Sequence, residues 1–463
     1  MSFSLQRCLS GAVLMLILVS TGTLRARASD TLSWNTNQNG VSADIKSMDL
    51  RELLEQVAAA SGWQVYLEPG TARDVSAKFK SLPPGEALRL LLRDLNFALV
   101  PRTNAGPRLY VFRTSQANAT QRIRPSAAKA SDRSRKAIPN ELIVRLKPGA
   151  KIDDIARSLG AKVIGRVDGL NTYLLEFTDE AAAQAARQSL LNNPDVAAID
   201  SNFPIEPPPA PQLLAGGAGP DWNLKPKDNT GPCQIVVGLI DTSVSPPGNG
   251  MDSFLLPSIS VAGDSQTAPG GLTHGTAMAQ TILQGIQAST GGKTSVKILP
   301  VNVYGANSST TTFDVGQGIY QAINAGADVI NLSLGGSGDS AFLHSLITSA
   351  TKQGVVFFGA AGNEPVTTPT YPAAYPEVIA VTASDPNGQI APYANRGSFV
   401  SMMEPGTSLV SYQGQSYLVS GTSSATASAS GFAAGLADTT HHCPDQVIPT
   451  LRSKFGVNFN SAP

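Results

Sequence analysis

Apolar positions between residues 41 and 113 recur twice at helical spacing. Leu50, Leu53, Leu54 and Val57 share one helical face behind Asp49, an N-cap candidate, and Ala87, Leu88, Leu91 and Leu92 repeat the spacing after Pro84-Gly85. Trp63–Leu67 and Leu109–Phe112 read as short strands, so the stretch predicts a small α+β module. Periodicity vanishes over 114–138, where Ala, Ser, Gln and Arg dominate and no core can be built; a disordered linker is expected. It returns in 140–209. There Leu142–Val144 with Leu146 and Thr172–Phe177 predict strands, while Ile152–Leu159 and Asp179–Asn192 predict helices, the order of a split βαβ unit. From 220 to 463 the pattern changes again. Continuous apolar runs (Ile235–Ile240, Val296–Val301, Asp328–Leu332, Val355–Phe358, Val378–Val381) alternate with helical segments, which predicts an α/β domain, a mostly parallel sheet covered on both faces.

A chain of 463 residues exceeds what one hydrophobic core supports, in keeping with this three-part pattern. Lys plus Arg equals Asp plus Glu at 34 each, so there is no field of one sign to attract nucleic acid. Ahead of the first module, Arg7 precedes the apolar run Leu14–Val19, and Ala26-Arg27-Ala28 supplies small residues for signal-peptidase cleavage. Residues 1–28 therefore read as a signal peptide, and the protein as periplasmic or secreted. Cleavage there leaves Cys233 and Cys443, which an oxidising compartment would allow to pair. His344, His441 and His442 lack partners at metal-ligand spacing.

Three segments carry chemistry. Asp241 stands at the carboxyl end of a predicted strand, where open α/β sheets bind their ligands. His274 lies in Thr273-His274-Gly275-Thr276 before a helical run, and Ser423 in Gly421-Thr422-Ser423-Ser424-Ala425-Thr426 before another. Each alone is an ordinary cap or turn residue. Together they supply a nucleophile, a base that takes its proton, and a carboxylate that fixes the imidazole tautomer. A helix N-terminus at Ser423 adds a backbone N–H for a developing oxyanion, and Asn363, in Ala360-Ala361-Gly362-Asn363-Glu364, offers a second donor through its side-chain amide.

The order Asp, His, Ser and the motifs Asp241-Thr242, His274-Gly275-Thr276, Ser333-Leu334-Gly335-Gly336, Ala360-Ala361-Gly362-Asn363, Tyr371-Pro372-Ala373 and Gly421-Thr422-Ser423 resemble the subtilisin-like serine peptidases across the whole segment from Trp222. The resemblance implies a serine endopeptidase acting on polypeptides, whose cleft is lined by Ser333, Leu334, Gly335, Gly336, Ala360, Ala361 and Gly362 and binds its substrate as an added strand. It brings no cofactor; structural calcium is common in the family, but its loop ligands cannot be placed in this sequence. Ser243, Ala277-Met278, Ser424, Ala427 and Glu404 depart from the family pattern around the triad without deleting a catalytic group. Two other readings stay open: a catalytically weak periplasmic adaptor, and a serine esterase or amidase.

Two further resemblances complete the expectation. Asn140–Gly149 and Asn193-Pro194-Asp195-Val196 are similar to the propeptide of subtilisin-like peptidases, which implies a folding chaperone whose tail, Ala198 to about Pro209, lies in the cleft as an inhibitor. Prolines 204, 207, 208 and 209 keep that tail extended, and self-processing is expected in the flexible Gln212–Gly219 that follows. Leu50–Leu54, Gly62-Trp63 and Ala87–Leu95 resemble the short N-terminal domain of secretins and TonB-dependent receptors, which implies that residues 41–113 bind an envelope protein.

Overall fold

The computed structural model describes residues 31–35, 40–71, 73–100, 107–123, 137–208, 211–214, 219–220, 222–228, 235–246, 250–263 and 272–457. The expected signal peptide lies outside them, as does Cys233. The chain falls into two compact units, 1–126 and 127–463.

In the first unit, β1 (Thr31–Asn35), β2 (Gly40–Asp49) and β4 (Asp74–Leu82) form an antiparallel sheet in the order β1-β2-β4. A second sheet has the order β5-β6-β3-β7: β3 (Gln64–Leu67), β5 (Asn96–Val100), β6 (Arg108–Phe112) and β7 (Gln121–Ile123). The two predicted helices are present as α1 (Leu50–Ser61) and α2 (Pro84–Leu92). Asp49 caps the first through hydrogen bonds from Arg51 N and Glu52 N, and the periodic leucines form the core between the sheets. The expected linker is shorter than its composition implied. Gln121–Ile123 pairs antiparallel with β3 and buries Ile123, because that strand's open edge offers backbone partners a composition reading cannot see.

The second unit starts with β8 (Glu141–Leu146), α3 (Ile152–Leu159), β9 (Lys162–Val167), β10 (Thr172–Glu176), α4 (Glu180–Leu191) and β11 (Val196–Ser201). Its antiparallel sheet, β11-β8-β10-β9, packs one face on its own helices through Leu142, Val144, Ile155 and Leu175. The opposite face, Ile143 and Leu174 with Val167, closes over Phe313 of the following domain. Strand alternation thus gives this small sheet two apolar faces and two partners.

Onward run β12 (Pro204–Ile205), β13 (Gln212–Leu214), β14 (Lys225–Pro226), β15 (Val236–Asp241), β16 (Ile259–Ser260), α5 (His274–Thr290), β17 (Lys293–Thr294), β18 (Lys297–Asn302) and β19 (Thr310–Thr311). Then come α6 (Thr312–Asn324), β20 (Val329–Leu332), α7 (Ala341–Thr351), β21 (Val356–Ala360), β22 (Val378–Ser384), β23 (Met402–Pro405), β24 (Thr407–Tyr412), β25 (Gln415–Ser420), α8 (Thr422–Thr440) and α9 (Ile448–Phe455). Seven strands form the main sheet, β16-β18-β15-β20-β21-β22-β23, and every pairing in it is parallel. Val237, Leu239 and Phe358 face the core under α5 and α8, whereas Val236, Ile240 and Phe357 face that under α6 and α7. Gly285 and Gly431 let α5 and α8 approach backbone to backbone: a Cβ on Gly285 would lie 2.9 Å from Phe432 N. This close crossing holds the N-termini of both helices at the carboxyl end of the sheet. No helix among the described residues is long and apolar enough to cross a membrane.

Candidate active site

Asp241 is the last residue of β15, His274 the first of α5 and Ser423 the second of α8, so three separate segments converge through the sheet. They are 0 %, 6 % and 6 % exposed. Both carboxylate oxygens of Asp241 lie 2.9 Å from His274 Nδ1, and Oδ1 also accepts from Thr242 N at 2.6 Å. Thr242 Oγ1 in turn accepts from Gly275 N (2.8 Å), and Thr273 Oγ1 caps the helix by accepting from Thr276 N (3.1 Å). The imidazole is therefore held from both its carboxylate and its helix. Ser423 Oγ donates to the carbonyl of Ser333 at 3.1 Å, and Ser333 Oγ donates back to the carbonyl of Ser423. Gly421 precedes the helix at φ +148°, a conformation closed to other residues, with Asn363 directly beside it. Asn363 Oδ1 accepts from Thr422 N (2.8 Å), which leaves Nδ2 as the donor on its other branch.

The segments expected to line a cleft flank these groups. Ser333 and Leu334 follow β20, and Gly336 exchanges backbone hydrogen bonds with Tyr371 (2.8 and 2.7 Å). Ala360 closes β21, Ala361 N donates to Val381 O, and Gly362 N donates to Thr422 Oγ1 (3.1 Å). Gly335 packs against Thr370 and Tyr371.

The tail of the small domain lies on this surface. Ala198 still belongs to β11; beyond Asn202, Pro204–Ile205 pairs antiparallel with β19. Ile205 joins the apolar cluster of Tyr304, Leu334 and Leu343, and Tyr304 Oη donates to Glu206 O at 3.2 Å. Burial holds the Tyr304 phenol far above its usual range, the charges of Asp241 and Glu206 adding to this, so it stays a donor. The Gln212–Gly219 segment is only partly as expected. Gln212–Leu214 is the strand β13, added antiparallel to β25, because the β24–β25 hairpin has an open edge that takes it up. Pro209, Ala210 and residues 215–218 lie outside the described residues.

Several residues at the site were not singled out by the sequence pattern. Asp200 Oδ2 accepts from Ser340 Oγ (2.7 Å) and Phe342 N (2.9 Å) at the start of α7. Asn202 Oδ1 accepts from Thr312 Oγ1 and Phe313 N, both at 3.1 Å, at the start of α6, and its Nδ2 donates to Glu141 Oε2 at 2.7 Å. Burial pushes the Glu141 and Asp314 carboxyls up at this junction. Buried Asn395 accepts from Glu364 N (2.8 Å) and donates to Ala361 O (2.8 Å), which fixes the loop carrying Asn363. Its local sequence, Ala-Asn-Arg-Gly, signals only a turn. Two of the departures around Ser423 leave unpartnered atoms: Ser424 Oγ and Glu404 Oε1 are buried without a hydrogen bond. Ser424 borders a cavity of about 220 Å³ between α5, α8 and the start of β24. Burial pushes the Glu404 carboxyl up to about 7, with Lys454 partly opposing the shift. Cys443 precedes the short 3₁₀ turn that leads into α9. Among the described residues, no group of three or more His, Cys, Asp or Glu could hold a metal ion.

A model of the subtilase family matches residues 233–445, and one of the fervidolysin N-terminal prodomain matches 123–202. Subtilisin Savinase of Lederbergia lenta is 33 % identical over 210 residues, covering 43 % of this chain and 75 % of that protein. The chain belongs to the subtilase family. M-protease of Shouchella clausii is likewise 33 % identical over 210 residues, and the chain spans about half of its length (53 %). Among solved structures, fervidolysin from Fervidobacterium pennivorans, a keratinolytic enzyme related to subtilisin, superposes with a TM-score of 0.53 at 20 % identity. It covers 67 % of this chain and 56 % of its own. The epidermin leader peptide processing serine protease of Staphylococcus aureus gives 0.52 at 17 %, covering 70 % of this chain and 95 % of its own. Both are similar in fold to this subtilase, whose large parallel sheet is of the subtilisin type and follows a prodomain.

Proposed function

We propose that this subtilase is an exported serine endopeptidase, periplasmic or secreted, that hydrolyses peptide bonds through Asp241, His274 and Ser423. The supporting observation is the buried Asp241–His274 pair at 2.9 Å at the carboxyl end of the sheet, where the carbonyl of Ser333, just past the neighbouring strand, holds Ser423 Oγ at the N-terminus of α8. In the reaction, Ser423 Oγ exchanges its acceptor, the Ser333 carbonyl, for His274 Nε2, which takes its proton as Oγ attacks the substrate carbonyl. Ser423 N–H and Asn363 Nδ2 hold the oxyanion. Collapse breaks the C–N bond, the leaving amine takes the proton from His274, and water hydrolyses the acyl-enzyme by the same route in reverse. Asp241 keeps the proton of the neutral imidazole on Nδ1 and stabilises the imidazolium.

Residues 137–208 act as the inhibitor of the precursor. Their tail is paired to β19 on one side and, through β13, to β25 on the other, and the connection carries Pro207, Pro208, Pro209 and Pro211. Prolines resist cleavage because they lack the N–H for strand pairing and are stiff. Self-processing therefore takes place within Gln212–Gly219, after β13 leaves β25. The test is expression in a protease-deficient host. Wild type should yield a catalytic piece whose N-terminus maps to that window, which takes a fluorophosphonate on Ser423 and digests casein, and Ser423→Ala should remain full length. Cleavage of the alanine variant at the same bond would assign the processing to another enzyme, and casein digestion by purified Ser423→Ala would overturn the triad.

A further inference from the structure

The tail strand continues upstream of Ile205 in a way the aliphatic anchor alone does not require. Phe203 O accepts from Thr312 N at 2.9 Å and Phe203 N donates to Thr312 Oγ1 at 3.1 Å, so the extended backbone is fixed two residues before Ile205. Side chains two apart on a strand point to the same face. Phe203 and Ile205 accordingly both turn toward the catalytic domain, whereas Glu206 is exposed. Phe203 meets Gly338: a Cβ at that position would lie 2.5 Å from Phe203 Cβ and 2.6 Å from Cδ1. The aromatic ring thus fills the space that any side chain at 338 would occupy. Gly338 is not in the left-handed region of backbone space, so an alanine there would cost space without backbone strain.

We propose that Gly338 is a specificity-determining residue: by lacking a side chain it leaves a seat for an aromatic group two residues upstream of the aliphatic anchor. The cleft then selects peptides of the pattern aromatic-X-aliphatic ahead of the scissile bond, the pattern its own tail presents as Phe203-Pro204-Ile205. This inference rests on the peptidase reading above. The driving force is burial of one ring against backbone, which is worth about tenfold or more in selectivity when the seat is open and is forfeited when a methyl occupies it.

The test uses processed enzyme obtained from the full chain and two fluorogenic peptides that share isoleucine at the anchor and differ only two residues upstream, phenylalanine against glycine. Wild type should prefer the phenylalanine peptide by about tenfold in kcat/KM. Gly338→Ala should bring that ratio to about one while leaving kcat/KM for the glycine peptide, which has no Cβ to meet the new methyl, within about twofold. A wild-type ratio near one, or a ratio unchanged by Gly338→Ala, overturns the seat and leaves the peptidase reading intact; Phe203 would then serve only the prodomain junction. Cleavage of neither peptide also overturns the seat. In that case failure of a fluorophosphonate to label Ser423 removes the peptidase reading as well, and labelling retains it.

Discussion

At the scale of single residues, the polarity of the Asn363 amide matters most. With Oδ1 engaged by Thr422 N, its role is confined to donation, and one oxyanion donor is worth roughly 100- to 1,000-fold in turnover. Asn363→Ala should therefore lower kcat by that factor and leave KM nearly unchanged in steady-state assays of the processed enzyme. Glu404 is a second case. Its carboxyl rises from 4.5 to about 7 on folding because burial disfavours the charge, so the folded state holds a proton that the unfolded chain releases. The associated stability is present below pH 4.5 and is lost as pH rises through about 7, on the order of 3 kcal/mol in all. Glu404→Gln should remove this slope: denaturant unfolding at pH 5 and pH 8 should differ by less than in wild type, with the gain at pH 8. An unchanged slope would place the linkage on another group.

Elements are joined by caps that cross from one domain to the other. Asp200 and Asn202 supply carboxylate and amide oxygens to the first turns of α7 and α6, whose N–H groups have no acceptor inside their own helices. A single cap of this kind contributes about 1 kcal/mol, and Asn202 also donates to the half-buried Glu141. In full-length protein carrying Ser423→Ala, the added change Asn202→Ala should lower stability by about 1–3 kcal/mol on thermal unfolding, and in the active chain it should hasten the appearance of proteolysis. No change in either would mean that the apolar contact of Phe313 with the prodomain sheet carries the junction alone.

For the molecule as a whole, the first and last parts of the catalytic domain hold Cys233 and Cys443, the two cysteines that the expected signal-peptide cleavage would leave. A bridge between them would close a loop of about 210 residues and contribute a few kcal/mol by restricting the unfolded chain. Mass spectrometry of the non-reduced catalytic piece should find the two peptides linked; two alkylated thiols would refute the bridge. The module around residues 41–113 has a separate core and two sheets, which also take in β1 and β7, and the envelope partner expected for it is tested by co-purification of the full chain from its native host. The partner should be lost when the exposed Leu99 and Val100 are made polar.

Much of this was legible in one dimension. Helical periodicity placed α3 and α4 to within a residue and the buried faces of α1 and α2, continuous apolar runs marked strands of the parallel sheet, and short motifs singled out Asp241, His274, Ser423 and Asn363, because each depends on local spacing or on chemistry that few residue types supply. What stayed hidden was whatever one strand edge or helix end does for a distant one. The pairing of Gln121–Ile123 with β3 and of Gln212–Leu214 with β25 turned supposed linker into sheet, since backbone groups pair irrespective of side chain. Asn202, Asn395 and Gly338 carry no signal of this kind in their local sequence. Only the approach of segments more than thirty residues apart gives their amides, and the missing side chain at 338, something to meet.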